Sequence, residues 1–536
     1  MNSGMKKFIK VFTTKRDLFV DKTDTDELID RLSTVPLGTL LNVLSRMSAL
    51  PLDKDAAVRD LFERNFPIAG QRAKNKYLYS HQGLLATWKW LLAYGDTNAI
   101  EEDNMPLGHA VLILLIFCIE ISDAISLEDI SVESVKKHML QNYVFNQHTA
   151  GFAALARAKM IFTELPIEVG MNFPRESINF SSKFYETYGY SIQDYLGTIS
   201  LITAKYQEDE DAIFSNREVD LIKLFNNAEF TKVGAKVLDS LSISLEDAKL
   251  WAIDTIDSHW NYTKFLEYPI IKLPNGRSYP IMSKLLEEQF FSQLFFRIRN
   301  CYPRNDSKFL GFMGRVFERY VQILLERAIH DSSLPYEVIQ EFEYEYGAGG
   351  VKRSPDLMLR LGDKLLVIET KSRRLLLETI LEGEESYIEK DIDRMVIEPI
   401  KQIHDRLSEL IHGVQHSKLK GIRDIFVMSV TTGEFPTIQF IEDKITERLS
   451  SLLDMDFKGH FHLSIEEFEL MSNLIGRKNG KPIFRILENK KKLFPGMSFT
   501  NFIVSTSLPN RFPKLIFEKL SESLDDFSRH FGSFTD

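Results

Sequence analysis

Cysteine is nearly absent: Cys118 and Cys301 are the only two in 536 residues. A disulfide framework and a cysteine-built zinc site are thereby excluded, and a reducing, cytoplasmic setting is expected. Long apolar runs are scarce as well. The longest, Ala110 to Ile119, is short for a bilayer span and reads as a buried core helix. Met1 to Lys10 carries basic residues but no following apolar core with a small-residue cleavage site, so neither a signal peptide nor a membrane partner is expected. Surplus positive charge is missing too. A formal net charge of -10 rules out a uniformly basic nucleic-acid coat and leaves only local basic patches for that purpose. Gly347-Ala348-Gly349-Gly350 is followed by no Gly-Lys-Ser/Thr and is therefore no P-loop, and neither a serine-nucleophile elbow nor a zinc-protease motif is present. Glu208-Asp209-Glu210-Asp211 lacks the alternating oxygen ligands and central glycine of a calcium loop, and reads as a solvated connection. No internal repeat or low-complexity segment stands out.

What is present is the composition of a soluble globular chain, 44% hydrophobic and 26% charged, long enough for roughly two to four domains. From Thr23 to about His259 apolar residues recur at helical spacing, as in Leu40, Leu41, Val43, Leu44 and Met47, or Leu84, Leu85, Trp88 and Leu91. Ser244 to Asp247 ahead of Leu250 is a capping-box start. Residues 1–260 are therefore expected to form a large all-α N-terminal domain. The pattern changes at Tyr268, where Asn275-Gly276 between two short apolar stretches reads as a hairpin. With a helix from about Lys284 to Ile298, it makes residues 261–306 a connector.

A helix from about Ser307 to His330 follows, its buried stripe running through Phe309, Met313, Val316, Phe317, Tyr320, Val321, Leu324 and Leu325. Tyr336 to Tyr346 alternates as a strand, and the glycine cluster turns the chain. Two short strands come next, then an acidic helix-compatible stretch from Glu382 to Asp393. An amphipathic helix is expected from Pro399 to Gly413, followed by a buried strand from Arg423 to Thr431. That order suits an α/β (α+β) mixed sheet flanked by helices over residues 307–440. Residues 441–536, with helices over Lys444 to Leu453 and Ile465 to Ile475 and a strand near His460 to Leu463, read as an accessory α/β region.

Chemistry concentrates between Ser354 and Lys371. Hydrolysis of a phosphodiester requires an anionic cradle for a divalent metal and a group that positions water or neutralises developing charge. Asp356 starts one strand, and Glu369 ends the next strand two residues before Lys371. The strand period of two puts Glu369 and Lys371 on one face. Leu365 to Ile368 is apolar throughout, as suits a central strand with its charged tip in a cleft. Glu318 lies beside the helix stripe, on the face of Gly311, Gly314 and Gln322.

Pro355-Asp356 and Glu369-Thr370-Lys371, with Glu318 upstream, resemble the PD-(D/E)XK nuclease superfamily, whose fold is restriction-endonuclease-like. The resemblance covers roughly Phe309 to Phe440. It implies that Asp356 and Glu369 hold magnesium or manganese with the Thr370 carbonyl as a further ligand. It also implies that Lys371 orients the attacking water and that Glu318 helps to hold the metal or the lysine. Gln402 resembles a glutamine that some branches carry on the following helix, but Arg406 replaces the tyrosine expected one turn later. Gly314 to Val321, followed by the motif strands, resembles bacterial proteins with a nuclease domain after a long helical region, many of which act against foreign DNA.

The implied function is a metal-dependent endonuclease on DNA. RNA is the alternative substrate, and an inactive nucleic-acid-binding or scaffold protein is the alternative class. The helical region would sense, specify or bind a protein partner or a second copy. Lys352, Arg353, Arg373 and Arg374 would meet the phosphate backbone, or pair with nearby acids. A second basic cluster, Arg477 to Lys492 interleaved with Phe484 and Phe494, reads as a solvated helix face or a nucleic-acid track. His404 is expected to be exposed. His460 and His462 share a strand face without an evident third metal ligand.

Overall fold

The computed structural model describes residues 13–50, 55–100, 105–126, 136–137, 139–141, 151–208, 216–225, 227–304, 306–347 and 350–531. The expected leader-free start, the acidic Asp209 to Asp211 and the middle of the glycine turn, Ala348 and Gly349, lie outside the described residues. The chain is mixed helix and sheet and divides into two compact units: Met1–Gly151, Tyr190–Gln293 and Phe527–Asp536 form the first, Phe152–Gly189 and Leu294–Asp526 the second. This division is not the linear one expected from the pattern change near Tyr268. Residues 152–189 join the later sheet unit because packing, not chain order, decides membership.

The first unit is mainly helical. Its Leu107–Ala124 helix is long and apolar enough for a membrane span by composition, with a mean hydropathy of 1.9, although the apolar run alone was expected to fall short. Its buried positions include Glu120 and Asp123. Lys15 and Arg31 pair with Glu120 at 3.1 and 2.5 Å, and Arg16 Nε donates to Asp123 Oδ1 at 2.8 Å. Paired acids inside an apolar helix mark a core element held by its neighbours.

The all-α expectation needs one correction. β1 (Ser242–Ser244) pairs in parallel with β2 (Ile270–Lys272), which forms the expected hairpin with β3 (Ser278–Pro280). Gly276 turns that hairpin at φ 86°, a conformation glycine adopts without steric cost. The single helix expected from Lys284 to Ile298 is two, Ser283–Glu288 and Ser292–Asn300. The first closes where Gln289 and Phe290 donate their N–H groups to Leu286 and Glu287, three residues back, a tightening that ends an α-helical ladder.

The second unit is built on a five-stranded sheet whose strands lie in the order Gly459–Ser464, Asp424–Thr431, Lys364–Lys371, Leu357–Leu361 and Glu337–Gln340. β4 (Glu337–Gln340), β7 (Leu357–Leu361) and β8 (Lys364–Lys371) are antiparallel neighbours, while β9 (Asp424–Thr431) and β10 (Gly459–Ser464) continue from β8 in parallel. Leu365 to Ile368 are fully buried at the centre, as a strand apolar on both faces should be. The helices Ser307–Asp331 and Glu398–Ser408 both contact β8. Asp306 caps the first by accepting from the N–H groups of Lys308 and Phe309, and its buried stripe is the expected one.

Three expectations are corrected here. Tyr336 to Tyr346 is not one strand: it breaks at Glu341-Phe342, and β5 (Glu343–Tyr346) pairs with β6 (Gly350–Arg353) in a separate two-stranded sheet. The helix expected to begin at Pro399 does not start there. Helix runs from Glu385 through a wide π turn at Asp393–Ile397 into Glu398–Ser408, and such a turn lets a residue without an N–H lie inside a helical run. Finally, β10 is an edge strand of the main sheet rather than part of an accessory region.

Candidate functional site

The ladders carry polar side chains into one row across the sheet. Glu369 pairs with Ser429 on β9, and Ser429 with His462 on β10. The paired registers end at Leu357↔Ile368 and Gln340↔Leu357, so Asp356 and Glu341, each the next residue along the chain, lie just beyond the ladder, near Glu369 and near each other. Directly paired residues share a face. The break after β4 brings Glu341 to Asp356, and the oxygens of Glu318, Glu341 and Asp356 lie within 4.8 Å of one another, a group without Glu369.

Asp356 is anchored through one oxygen. Its Oδ2 accepts from Thr370 N and Thr370 Oγ1, both at 2.8 Å. Glu369 is 1% exposed; its Oε1 accepts from Lys371 Nζ at 2.7 Å, and its buried Oε2 has no partner among the described residues. Ser429 Oγ, the next group in the row, is buried and likewise has no hydrogen-bond partner among the described residues. The Lys371 ammonium also donates to Gln402 Oε1 at 3.1 Å, so Gln402 on its helix and Glu369 on β8 hold the lysine between them.

These acids are hard to ionise together. Burial, reinforced by the charge of Asp356, pushes the Glu369 carboxyl up to about 8 against the pull of Lys371. Burial raises Glu318 to about 7, with Asp356 and Glu341 adding to the shift and Arg315 and Arg353 opposing it. Glu341 is raised chiefly by burial and by Asp356, and lowered by Arg353. Carboxylates gathered in poorly hydrated surroundings hold on to protons even though Arg315 lies 3.6 Å from Glu318, Arg353 3.2 Å from Glu341 and Lys371 2.7 Å from Glu369, and hard oxygen donors of this kind suit magnesium, manganese or calcium.

The four expected phosphate-facing cations are engaged. Lys352 pairs with Glu409, which also accepts from the Tyr344 hydroxyl at 2.6 Å. Arg353 Nη1 donates to Glu341 Oε2 at 3.2 Å, and Arg373 to Glu398 at 2.7 Å and to the Arg394 carbonyl. The Arg374 guanidinium lies over the rings of Phe295 and Phe296 at 5.1 and 5.6 Å. His404 is buried, contrary to expectation, and its Nε2 meets Asp454 Oδ1 at 2.5 Å. His462 gains Glu442 at 2.5 Å, yet the described residues form no three-ligand group there.

Compared with family models, curated proteins and solved structures, the chain matches none. Sequence reasoning missed Glu341. Its one signal was the Glu341-Phe342 pair, where the polar/apolar alternation of a single strand could be interrupted without any glycine or proline to mark it.

Proposed function

We propose that the chain is a metal-dependent nuclease of restriction-endonuclease-like fold, hydrolysing phosphodiester bonds of DNA. The observation that carries this reading is Asp356, fixed by Thr370 beside Glu369, with Lys371 held by Glu369 and Gln402. The donor set fits a divalent cation: the buried Glu369 Oε2 has no hydrogen-bond partner among the described residues, and oxygens of Glu318, Glu341 and Asp356 cluster within 4.8 Å although Arg315 and Arg353 pair with two of them. Asp356, Glu369 and Glu318 would hold it, with Glu341 in addition to the set implied by the resemblance and the Thr370 carbonyl as a further donor. When bound, magnesium or manganese supplies Lewis acidity toward the scissile phosphate.

The chain's own groups do the rest. Lys371 Nζ, fixed by two acceptors, keeps a proton free to orient a water or to meet charge developing on the phosphate. Thr370 fixes the Asp356 carboxylate, and Gln402 limits where the ammonium can swing. A second reading, the same fold binding nucleic acid without turnover, gains nothing from Lys352, Arg353, Arg373 and Arg374, which neighbouring groups already engage.

Plasmid DNA and a single-stranded RNA incubated with magnesium or with a chelator separate the readings. Cleavage of DNA only in magnesium, lost in Asp356→Asn, Glu369→Gln and Lys371→Met, is the expected result. A loss of roughly a hundredfold or more per substitution is the scale for a group that acts in the transition state. Equal activity in all three variants would sink the assignment of the site, and binding without cleavage would favour the second reading.

A further inference from the structure

The lysine-rich helix Ile483–Leu493 does not present all its cations to solvent. Its buried positions, Ile483, Phe484, Ile486, Leu487 and Lys490, follow helical spacing, so Lys490 sits on the inward stripe and is 7% exposed. There it lines a cavity of about 480 Å³ together with His460, Thr437, Thr446 and Phe461, a size in the range of small-molecule sites.

A buried ammonium normally has a carboxylate partner. The acids that act on Lys490 are Glu442 and Glu467, and both are committed elsewhere. Glu442 meets His462 Nε2 at 2.5 Å, while Glu467 accepts from the N–H groups of Ser464, Phe499 and Thr500 at 3.2, 2.6 and 3.3 Å. Among the described residues neither forms a salt bridge with Lys490. Burial accordingly holds the Lys490 amine below the ordinary lysine range, and holds His460 down at about 4, a neutral ring able to donate one N–H.

We propose that this cavity is a binding site for a small, singly charged oxyanion with an apolar body, its carboxylate or phosphodiester group meeting Lys490 and His460. The Thr437 and Thr446 hydroxyls add donors, and Phe461 with Leu449 and Phe457 supplies the apolar wall. Glu442, paired with His462, lines the same cavity with the exposed Asp443 and Asp456, and these carboxylates disfavour a multiply charged ligand. The proposal uses none of the residues assigned to the proposed nuclease chemistry, and its test needs no cleavage.

The full chain is titrated with benzoate and with diphenyl phosphate while the thermal midpoint is followed. Benzamide, a neutral match for benzoate, and sodium chloride at equal ionic strength are the controls. A saturable rise with one or both anions is expected, and the anion that produces it names the source chemistry. Benzamide should bind roughly tenfold more weakly or not at all, as the loss of a charge-assisted hydrogen bond implies. Lys490→Met should weaken the anion to the same extent. Should that variant not fold, acylation of Lys490 in the wild-type chain, read by mass spectrometry, is expected to slow when the anion is bound. The proposal is overturned if neither anion gives a saturable shift and neither protects Lys490. It is also overturned if folded Lys490→Met keeps the wild-type affinity.

Discussion

Two buried glutamates of the sheet unit, Glu469 and Glu369, solve the same physical problem differently. Glu469, fully buried, accepts from Arg157 Nε at 2.7 Å and from the Tyr320 hydroxyl at 2.6 Å on one oxygen, and from Arg157 Nη2 at 2.9 Å on the other. Glu369 has Lys371 on one oxygen and nothing among the described residues on the other. A bidentate arginine with a hydroxyl completes a network whose removal leaves a bare charge, as structure requires. A half-satisfied carboxylate beside other acids is tolerated where the missing partner arrives from outside. The contrast sets a charge that holds the fold against one that, on the proposed reading, awaits a cation.

The largest effect should come from breaking the completed network. Arg157→Met is expected to cost about 3–5 kcal/mol, the scale for leaving one member of a buried pair alone, read as a lower urea midpoint. Glu369→Gln should leave the metal-free chain as stable as wild type at pH 8 or more so, since it removes a charge without a full set of partners. A loss in Glu369→Gln equal to that in Arg157→Met would erase the distinction.

An intermediate effect is expected in the pH dependence. Folded-state values raised to about 8 at Glu369 and about 7 at Glu318 mean that the folded chain binds more protons than the unfolded one above the ordinary carboxylate value of 4.5. Their contribution to stability is therefore fully present below that value and is lost as pH rises through the folded values. Metal-free stability should carry this downward component toward pH 8, and Glu369→Gln should flatten it. An unchanged slope in the variant would show that Glu369 is not the proton-binding group.

The smallest structural effect belongs to Gln402, whose carbonyl accepts one bond from a lysine that stays partly exposed. Gln402→Ala should move stability by no more than about 0.5 kcal/mol while lowering turnover more than it changes substrate binding. A large loss of stability instead would make Gln402 a structural residue.

Much of this unit was legible because its signals are local. The 3.6-residue stripe from Phe309 to Leu325, the apolar run Leu365 to Ile368, and the short turn between β7 and β8 follow from spacing alone. Lys371 and Glu369 share a face by the period of two, and the hydrogen bond between them is found. What stayed hidden depends on pairings distant in sequence. Glu341 reaches Asp356 because the chain leaves one sheet for another in the middle of an alternating run, and alternation carries no mark of which sheet a residue joins. β10 pairs with β9 across the Gln439–Leu452 helix, and Arg157 reaches Glu469 over 312 positions. Lys490 was masked by its neighbours, since a cluster of lysines looks solvated until the apolar positions 483, 486 and 487 are placed on the same helix face.

Uptake of manganese by the full chain, followed by the electron paramagnetic resonance signal of the free ion, tests most directly whether Glu369 awaits a cation. Saturable uptake by the wild type, weakened roughly tenfold or more in Asp356→Asn and Glu369→Gln, as for lost ligands of a metal, is the result this account predicts. Uptake of equal affinity in the wild type and both variants, or none in the wild type, would contradict it.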